Sequence, residues 1–302
     1  MAHTHAHDHG PARHDRAFAI GIGLNLVYVA LEAGFGVLAG SLALLADAGH
    51  NLSDVLGLAL AWAAARLSRR QPTQRRTYGY RRSSILASLA NAVLLLVAVG
   101  AILLEAVRRL MEPQPVESWT VIWVAAVGVL VNGGTAWLFL SGRKRDLNVR
   151  GAFLHMAADA GVTVGVIAAA LLIRWTGWVW LDPATSLLIA LVILVGTWGL
   201  LRDAVNLSLD AVPEGIDPRA VEACLAAQPG VSEVHDLHIW AMSTTETALT
   251  AHLVRAGAPA DDGLLARMRR ELHERFGIEH ATFQIETGDP AHPCPLAPAH
   301  VV

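Results

Sequence analysis

The chain has 302 residues, of which 54% are hydrophobic and 16% are charged, against about 25% charged residues in an average soluble protein. This composition argues against a soluble globular protein and favours a membrane protein. The formal net charge of −3 gives little information because the charges are placed unevenly, and nothing in the sequence predicts a nucleic-acid partner.

The first 16 residues are expected to form a His-rich cytoplasmic tail, with His3, His5, His7 and His9 at alternate positions. Such a tract can gather metal ions from the cytoplasm, or it can be a solvated tail of weak affinity, and both interpretations stay open. No cleavable signal peptide is predicted, because the N-terminus is polar and lacks a small-residue cleavage site.

Six stretches are predicted to cross a membrane as helices, because a span needs about 20 mostly apolar residues. They make up a predicted transmembrane domain at 17–205 and lie at 17–39, 42–65, 85–107, 119–140, 152–175 and 183–201. The loops at 66–82 and 141–150 contain seven and four basic residues, which outnumber the opposing Arg108 and Arg109 at the end of the third helix. Basic loops mark the cytoplasmic side, so both termini are predicted to be cytoplasmic.

The second and fifth predicted helices each contain a histidine followed four residues later by an aspartate, His50 with Asp54 and His155 with Asp159. Residues four apart share one face of a helix, so the two helices can supply four ligands to a tetrahedral Zn²⁺ site. A carboxylate at the centre of a spanning helix costs about 2.5–3.5 kcal/mol, which a divalent cation would offset. The alternative is direct Asp–His pairing without a metal, but the recurrence of the motif favours the metal site.

Three further polar residues are candidates for an outer shell around this site. Asp47, three residues before His50, can orient that histidine or bond a neighbouring helix. Asn25 and Glu32 lie two turns apart on one face of the first helix, where interhelical hydrogen bonding and a metal or proton role are both open.

Residues 206–288 are predicted to form a small α+β domain. Asp217 followed by Pro218 is typical of a helix start, and the pattern that follows predicts the order αββαβ, with helices on one face of a sheet. The predicted elements lie at 218–228, 231–242, 247–254, 262–276 and 282–286. The tail at 289–302 is rich in proline and is predicted to be disordered.

A second group of candidate metal ligands lies in this domain: His235, His238, His252, His280 and Glu286. Adjacent strands can bring such residues together as a metal sensor site, and the alternative is a set of scattered surface histidines. Two cysteines are too few for a disulfide scaffold, so Cys224 is interpreted as a buried thiol and Cys294 as a tail thiol.

Four stretches of the chain resemble the cation diffusion facilitator family, especially its bacterial zinc, cadmium and cobalt efflux branch, which is similar to eukaryotic vesicular zinc transporters. They read SLALLADAGHNLSD at 41–54, RTYGYRR at 76–82, HMAAD at 155–159 and HDLHIW at 235–240. The resemblance implies a homodimer of six-helix protomers with cytoplasmic ferredoxin-like domains, in a bacterial inner membrane. It also implies alternating-access export of Zn²⁺ in exchange for protons, with Zn²⁺ as both substrate and regulatory ligand.

The resemblance also implies roles for individual residues. The transport site would be His50, Asp54, His155 and Asp159. The cytoplasmic metal positions would be His235, His252, His280 and Glu286, with His238 as a further candidate. The loop at 66–82 has neither His nor Asp, so an interfacial metal site of some members has no ligands here. The loop between the fourth and fifth helices lacks the His-rich insert of many eukaryotic members.

Other functions stay open at this point. Cd²⁺, Co²⁺ or Ni²⁺ can be the main substrate, because these ions fit similar nitrogen and oxygen sites. A membrane metal sensor that transports nothing would have the same ligands. An intramembrane metalloenzyme is disfavoured because the sequence has no HExxH motif, and the protein is predicted not to be an enzyme.

Overall fold

The computed structural model describes residues 15–68, 70–139, 147–256 and 262–298, so the His-rich N-terminal tract lies outside the described residues. Six long helices are followed by a small α+β domain, as the sequence predicts. The elements are α1 Asp15–Ala39, α2 Leu42–Ser68, α3 Ser83–Met111, α4 Ser118–Phe139, α5 Leu147–Thr176, α6 Leu181–Ser208, α7 Pro218–Ala226, β1 Glu233–Ala241, β2 Thr247–Val254, α8 Asp262–Phe276 and β3 Ile278–Glu286.

Four helical segments are long and apolar enough to cross a bilayer when only the described residues are considered. They are Ser83–Met111, Ser118–Trp137, Met156–Thr176 and Leu181–Ser208. The described apolar part of α1, Asn25–Ala39, is shorter. Large apolar side chains such as Trp123, Leu130 and Val195 are exposed on these helices. A helix that is apolar on its exposed face as well as its buried face suits a lipid environment.

The chain divides into two compact units, the first made of residues 1–59 and 91–198 and the second of residues 60–90 and 199–302. In the first unit α4 packs on both α1 and α5. Its buried core is rich in alanine, which lets helices approach closely. The core residues are Ala39, Ala43, Leu44, Ala46, Val99, Val121, Ala125, Val166, Ala170, Ile189, Ala190 and Ile193.

A buried aspartate from the start of α6 holds the start of α2. Ser41 Oγ donates to Asp182 Oδ1 at 2.5 Å, and the backbone N–H groups of Leu42 and Ala43 donate to the same carboxylate at 2.7 and 3.3 Å. The first N–H groups of a helix have no partner within the helix, and they favour a negative charge. Asp182 therefore caps α2 from a distant part of the chain and fixes the helix that bears His50.

Arg109 supports the same region. Its Nη1 donates to the carbonyl oxygen of Gly40 at 2.6 Å, and its Nε donates to Glu105 at 3.0 Å. Gly40 lies in the turn between α1 and α2 with φ of 66°, a left-handed conformation that glycine adopts without steric cost. Arg109 lies on the predicted non-cytoplasmic side, where basic residues are less common, and its hydrogen bond to Gly40 stabilises the turn between α1 and α2.

In the second unit a three-stranded sheet with the order β1-β2-β3 packs against α7 and α8. Strand β2 pairs antiparallel with β1 and parallel with β3. The core between helices and sheet includes Val221, Leu249, Leu253, Met268 and Leu272. The last strand begins at Ile278, earlier than the predicted residue 282, because pairing with β2 already begins opposite Thr247 and Ile278 is buried in the core.

The basic loop between α2 and α3 contacts the turn between β1 and β2 in this unit. Arg81 Nη1 forms an ion pair with Glu246 Oε1 at 2.6 Å, and the N–H of Thr244 donates to Ser84 Oγ at 3.0 Å. Arg82 also pairs with Asp210, which follows the end of α6. The basic loop and the α+β domain therefore lie on the same side of the predicted membrane.

Candidate metal sites

One histidine–aspartate contact joins the two helices that carry the repeated motif. His50 Nε2 on α2 lies 3.2 Å from Asp159 Oδ1 on α5, and Asp159 is only 2% exposed. The side chains of Asp54 and His155 lie outside the described residues, although both positions belong to α2 and α5. The structure thus brings together one member of each predicted pair, and the complete four-ligand site stays a prediction.

Asp47 and Glu32, two of the predicted outer-shell residues, form buried hydrogen bonds beside this contact. Thr163 Oγ1 lies 2.9 Å from Asp47 Oδ2 and 2.9 Å from the backbone carbonyl oxygen of Asp159, so its single hydroxyl hydrogen is shared between two acceptors. Asp47 is therefore linked to α5 through a threonine that touches the backbone of a candidate ligand.

Glu32 on α1 accepts hydrogen bonds from Tyr28 at 2.6 Å and from Asn51 at 3.1 Å. It thereby connects α1 to the residue that follows His50. Asn25 is partly buried on α1.

A second cluster of donor atoms lies at one end of the sheet. One ligand atom from each of His235, His252, Glu286 and Cys294 lies within 4.8 Å of all the others. His235 and His252 are directly opposite each other on β1 and β2, and Glu286 ends β3. Cys294 follows in the turns after β3, where its Sγ lies 3.5 Å from His252 Nδ1. Two imidazoles, a carboxylate and a thiol are together a ligand set that Zn²⁺ prefers.

Glu286 is the centre of this cluster. Its Oε1 lies 3.1 Å from His252 Nδ1, and its Oε2 lies 3.3 Å from His235 Nε2. Burial raises the pKa of Glu286, but hydrogen bonds from Gln284 and Cys294 and the charges of the two imidazoles outweigh it and hold that pKa below the ordinary value. Burial and the neighbouring carboxylate raise the pKa of the Cys294 thiol. A metal ion would displace that thiol proton.

A β-bulge in β1 supplies the outer support of the cluster. The pairing of β1 with β2 shifts between His235 and His238, and Asp236 within the bulge has φ of 49°. Its carboxylate lies 3.3 Å from His252 Nε2 and 2.8 Å from His238 Nε2. A carboxylate on the outer nitrogen of a histidine fixes its tautomer, so Nδ1 of His252 is left free to face the other donors.

Two of the predicted cytoplasmic ligands lie outside the four-residue cluster. His238 contacts it only through Asp236. His280 is exposed opposite Ala248, and its ring meets that of Tyr78 edge-on with 5.7 Å between centroids. Glu286 lies six residue steps after His280 along β3, which is about 20 Å at about 3.3 Å per step. A metal role for either histidine therefore stays a prediction.

Sequence reasoning missed Cys294 and Asp236. Cys294 gave no signal because it stands alone in a proline-rich tail, where the sequence predicts disorder. Asp236 stands between two histidines, and only the bulge directs its carboxylate toward His252. The predicted boundary of a tail at 289 stays a prediction, while the structure describes 289–298 as turns and bends.

Six long helices with an imidazole–carboxylate contact inside, followed by an α+β domain with a cluster of metal-type donors, define a membrane protein that handles metal cations. Residues 18–207 match the cation efflux transmembrane domain, and residues 213–288 match the cytoplasmic domain of cation efflux proteins. The chain belongs to the cation efflux family. The predicted family, the membrane-helical fold class and the role of a transporter rather than an enzyme are thereby confirmed.

Individual relatives match nearly the whole chain. The metal cation efflux system protein CzcD of Cupriavidus metallidurans is 39% identical over 99% of this chain and 93% of its own length. The zinc transporter ZitB of Escherichia coli is 39% identical over 95% of this chain and 93% of its own. A cadmium, cobalt and zinc/H(+)-K(+) antiporter of Bacillus subtilis is 34% identical over 93% of this chain and 92% of its own length. The solved metal-bound C-terminal domain of CzcD covers 24% of this chain and 99% of its own, with 38% identity and a TM-score of 0.22.

Proposed function

We propose that the protein exports Zn²⁺ from the cytoplasm of a bacterial cell across the inner membrane, in exchange for protons and by alternating access. The contact between His50 Nε2 and Asp159 Oδ1 carries this proposal, because it places an imidazole and a carboxylate from two helices at one buried point. The names of the relatives support the substrate and the exchange: one is a zinc transporter, and another is an antiporter of cadmium, cobalt and zinc.

The transport site consists of His50, Asp54, His155 and Asp159. Without metal, a protonated His50 pairs favourably with the buried carboxylate of Asp159. Metal binding needs neutral imidazoles and ionised carboxylates, so each Zn²⁺ that enters displaces protons from these side chains. Protons that return from the opposite side restore the His50–Asp159 pair and release the metal. One set of residues therefore holds either protons or Zn²⁺, which is the basis of exchange.

The protein is proposed to be a homodimer with both termini in the cytoplasm. The contact of Arg81 with Glu246 supports this orientation, because it lies between the basic α2–α3 loop and the C-terminal domain. Basic loops mark the cytoplasmic side, and an even number of spans returns the N-terminus to that side. The match of residues 213–288 to the family's cytoplasmic domain agrees with this arrangement.

Transport itself is tested with proteoliposomes that have an acidic lumen. We expect Zn²⁺ to accumulate inside while the pH gradient lasts, and uptake to fall to the protein-free level when an ionophore collapses the gradient. Cd²⁺, Co²⁺ and Ni²⁺ measured in the same assay decide the alternative substrates. If the protein binds Zn²⁺ but shows no gradient-driven uptake of any of these ions, it is a metal sensor and the proposal is wrong.

The cytoplasmic cluster is proposed to hold a regulatory Zn²⁺ through His235, His252, Glu286 and Cys294. The fit rests on their donor atoms, which lie within 4.8 Å of one another. A metal there would link β1, β2, β3 and the C-terminal segment, and Asp236 would hold His252 in the tautomer that presents Nδ1.

Asp236→Asn removes an outer-shell carboxylate and is expected to lower the Zn²⁺ affinity of the cytoplasmic site by about 10–100-fold. Cys294→Ser is expected to lower that affinity at least as much. The reason is that serine replaces a thiolate ligand with a poor donor. Competition with a fluorescent chelator measures this affinity in the full-length protein, with the transport site disabled by Asp159→Ala. His273→Ala, which changes an exposed histidine of α8, is the control and should bind normally. Unchanged affinity in Cys294→Ser would remove the cysteine from the site.

A further inference from the structure

Glu32 is a buried acidic residue that the metal site does not use. Its side chain on α1 is 0% exposed, and both of its oxygens accept hydrogen bonds from neutral groups. The hydroxyl of Tyr28, one turn earlier, donates to Oε1 at 2.6 Å, and the amide of Asn51 on α2 donates to Oε2 at 3.1 Å. Neither donor brings a positive charge to the carboxylate.

A second buried carboxylate lies beside it. Asp47 on α2 is also 0% exposed, and it lies one helical turn before Asn51, on the same face of α2 as the amide that donates to Glu32. Its Oδ2 accepts from Thr163, whereas no hydrogen-bond donor among the described residues reaches its Oδ1. The two acidic side chains thus lie close together, and the donors that the structure describes on their oxygens are hydroxyl and amide groups.

In the described part of the chain, the other titratable groups near this pair are Tyr28, His50 and Asp159. Tyr28 bonds Glu32, His50 lies one turn after Asp47 on α2, and Asp159 is linked to Asp47 through Thr163. Helix α4, which packs on α1, contains no titratable side chain between Ser118 and Phe139. Two adjacent buried carboxylates cannot both be ionised at moderate pH, since like charges and burial both disfavour the second charge. A single proton shared by the two side chains would remove this cost.

We propose that Glu32 and Asp47 form a proton-binding site, separate from the four metal ligands, that takes part in the exchange of Zn²⁺ for protons. This inference rests on the proposed antiport. The proton leaves as Zn²⁺ occupies the neighbouring site, because the cation favours the second ionised carboxylate. When the proton returns, the affinity for Zn²⁺ falls by the same coupling.

Two contacts connect the pair to the metal site. Asn51, which donates to Glu32, is the residue after His50 on α2. The Thr163 hydroxyl lies within hydrogen-bond distance of both Asp47 and the backbone carbonyl oxygen of Asp159 on α5. A change in the charge of the pair therefore reaches both helices that carry the ligands.

The test counts the protons released when Zn²⁺ binds to the full-length protein in weak buffer with a pH indicator. Glu32→Gln keeps the size of the side chain and an acceptor for Tyr28, but glutamine cannot bind a proton. We expect this variant to retain Zn²⁺ binding at alkaline pH and to release about one proton fewer per Zn²⁺ at moderate pH. Glu112→Gln, an exposed glutamate after α3, is the matched control and should release the wild-type number.

Retained binding with the same proton count in Glu32→Gln would overturn the inference. If that variant does not fold, Tyr28→Phe keeps both carboxylates and removes the hydroxyl that favours the ionised form. The pH midpoint of Zn²⁺ binding should then move upward, and an unchanged midpoint also overturns the inference. The proposed antiport has a separate test: it is wrong if the wild-type protein shows no uptake of Zn²⁺ driven by a pH gradient.

Discussion

Asp159→Ala should lower pH-driven uptake of Zn²⁺ into proteoliposomes by at least about 100-fold. Loss of an outer-shell partner of a metal ligand already lowers metal affinity or activity by about 10–100-fold, and Asp159 is proposed to be a ligand itself. Asp159 is almost fully buried and contacts His50 at 3.2 Å, so the variant removes the one described carboxylate of the proposed transport site. It also removes the contact between that carboxylate and the imidazole of His50. Initial rates of uptake at several Zn²⁺ concentrations measure the loss.

Two further variants sharpen this result. His50→Ala should lose uptake to a similar extent, and the double variant should be no worse than either single one, because residues that act as one unit are not additive. Asp203→Ala changes an aspartate at the exposed end of α6 that pairs with Arg202, and it should transport like wild type. If Asp159→Ala transports at a rate near that of wild type, the assignment of the transport site is wrong.

Asp182→Ala should destabilise the helical part of the protein by about 3 kcal/mol, from the loss of a helix cap and of partners for buried donors. The variant deprives Leu42 N, Ala43 N and the Ser41 hydroxyl of their shared acceptor. A change of this size corresponds to a fall in Tm of about 6–12 °C for a domain of this length. Thermal unfolding in detergent, followed by the loss of monodisperse protein, measures it.

The matched variants separate the cap from a general effect of substitution. Asp182→Asn keeps one carboxamide oxygen as an acceptor, so its Tm should lie between those of Asp182→Ala and wild type. Asp203→Ala, in the same helix but with a side chain that is 40% exposed, should unfold at the wild-type temperature. A wild-type Tm for Asp182→Ala would show that α2 does not depend on this carboxylate.

Local patterns were sufficient to predict most elements of this protein. The six apolar stretches became α1 to α6, and the elements after Asp217 occur in the predicted order, with β2 and α8 at the predicted bounds. Spans and amphipathic elements are determined by composition and periodicity over neighbouring residues, which a sequence displays directly. The i, i+4 spacing of the two histidine–aspartate pairs is also visible in the sequence, because helix geometry determines which residues share a face.

Pairings between distant residues depended on the tertiary structure. His50 meets Asp159 across 109 positions and Ser41 meets Asp182 across 141, and no local pattern indicates such partners. The repeated histidine–aspartate motif and the family resemblance predicted that the first pair shares one site, whereas the cap on α2 had no signal in the sequence.

In the cluster of His235, His252, Glu286 and Cys294, the sequence likewise determined one part and the tertiary structure the other. The sequence by itself determined that histidines lie on adjacent strands, and strand pairing then placed His235 opposite His252. Which donors complete the site was decided by the bulge at Asp236, by the end of β3 and by the turns that bring Cys294 to His252. A single extra residue in a strand redirects the side chains that follow, and a tail cysteine has no preferred position until the chain folds. The tertiary structure therefore selected His235, His252, Glu286 and Cys294 and left His280 apart.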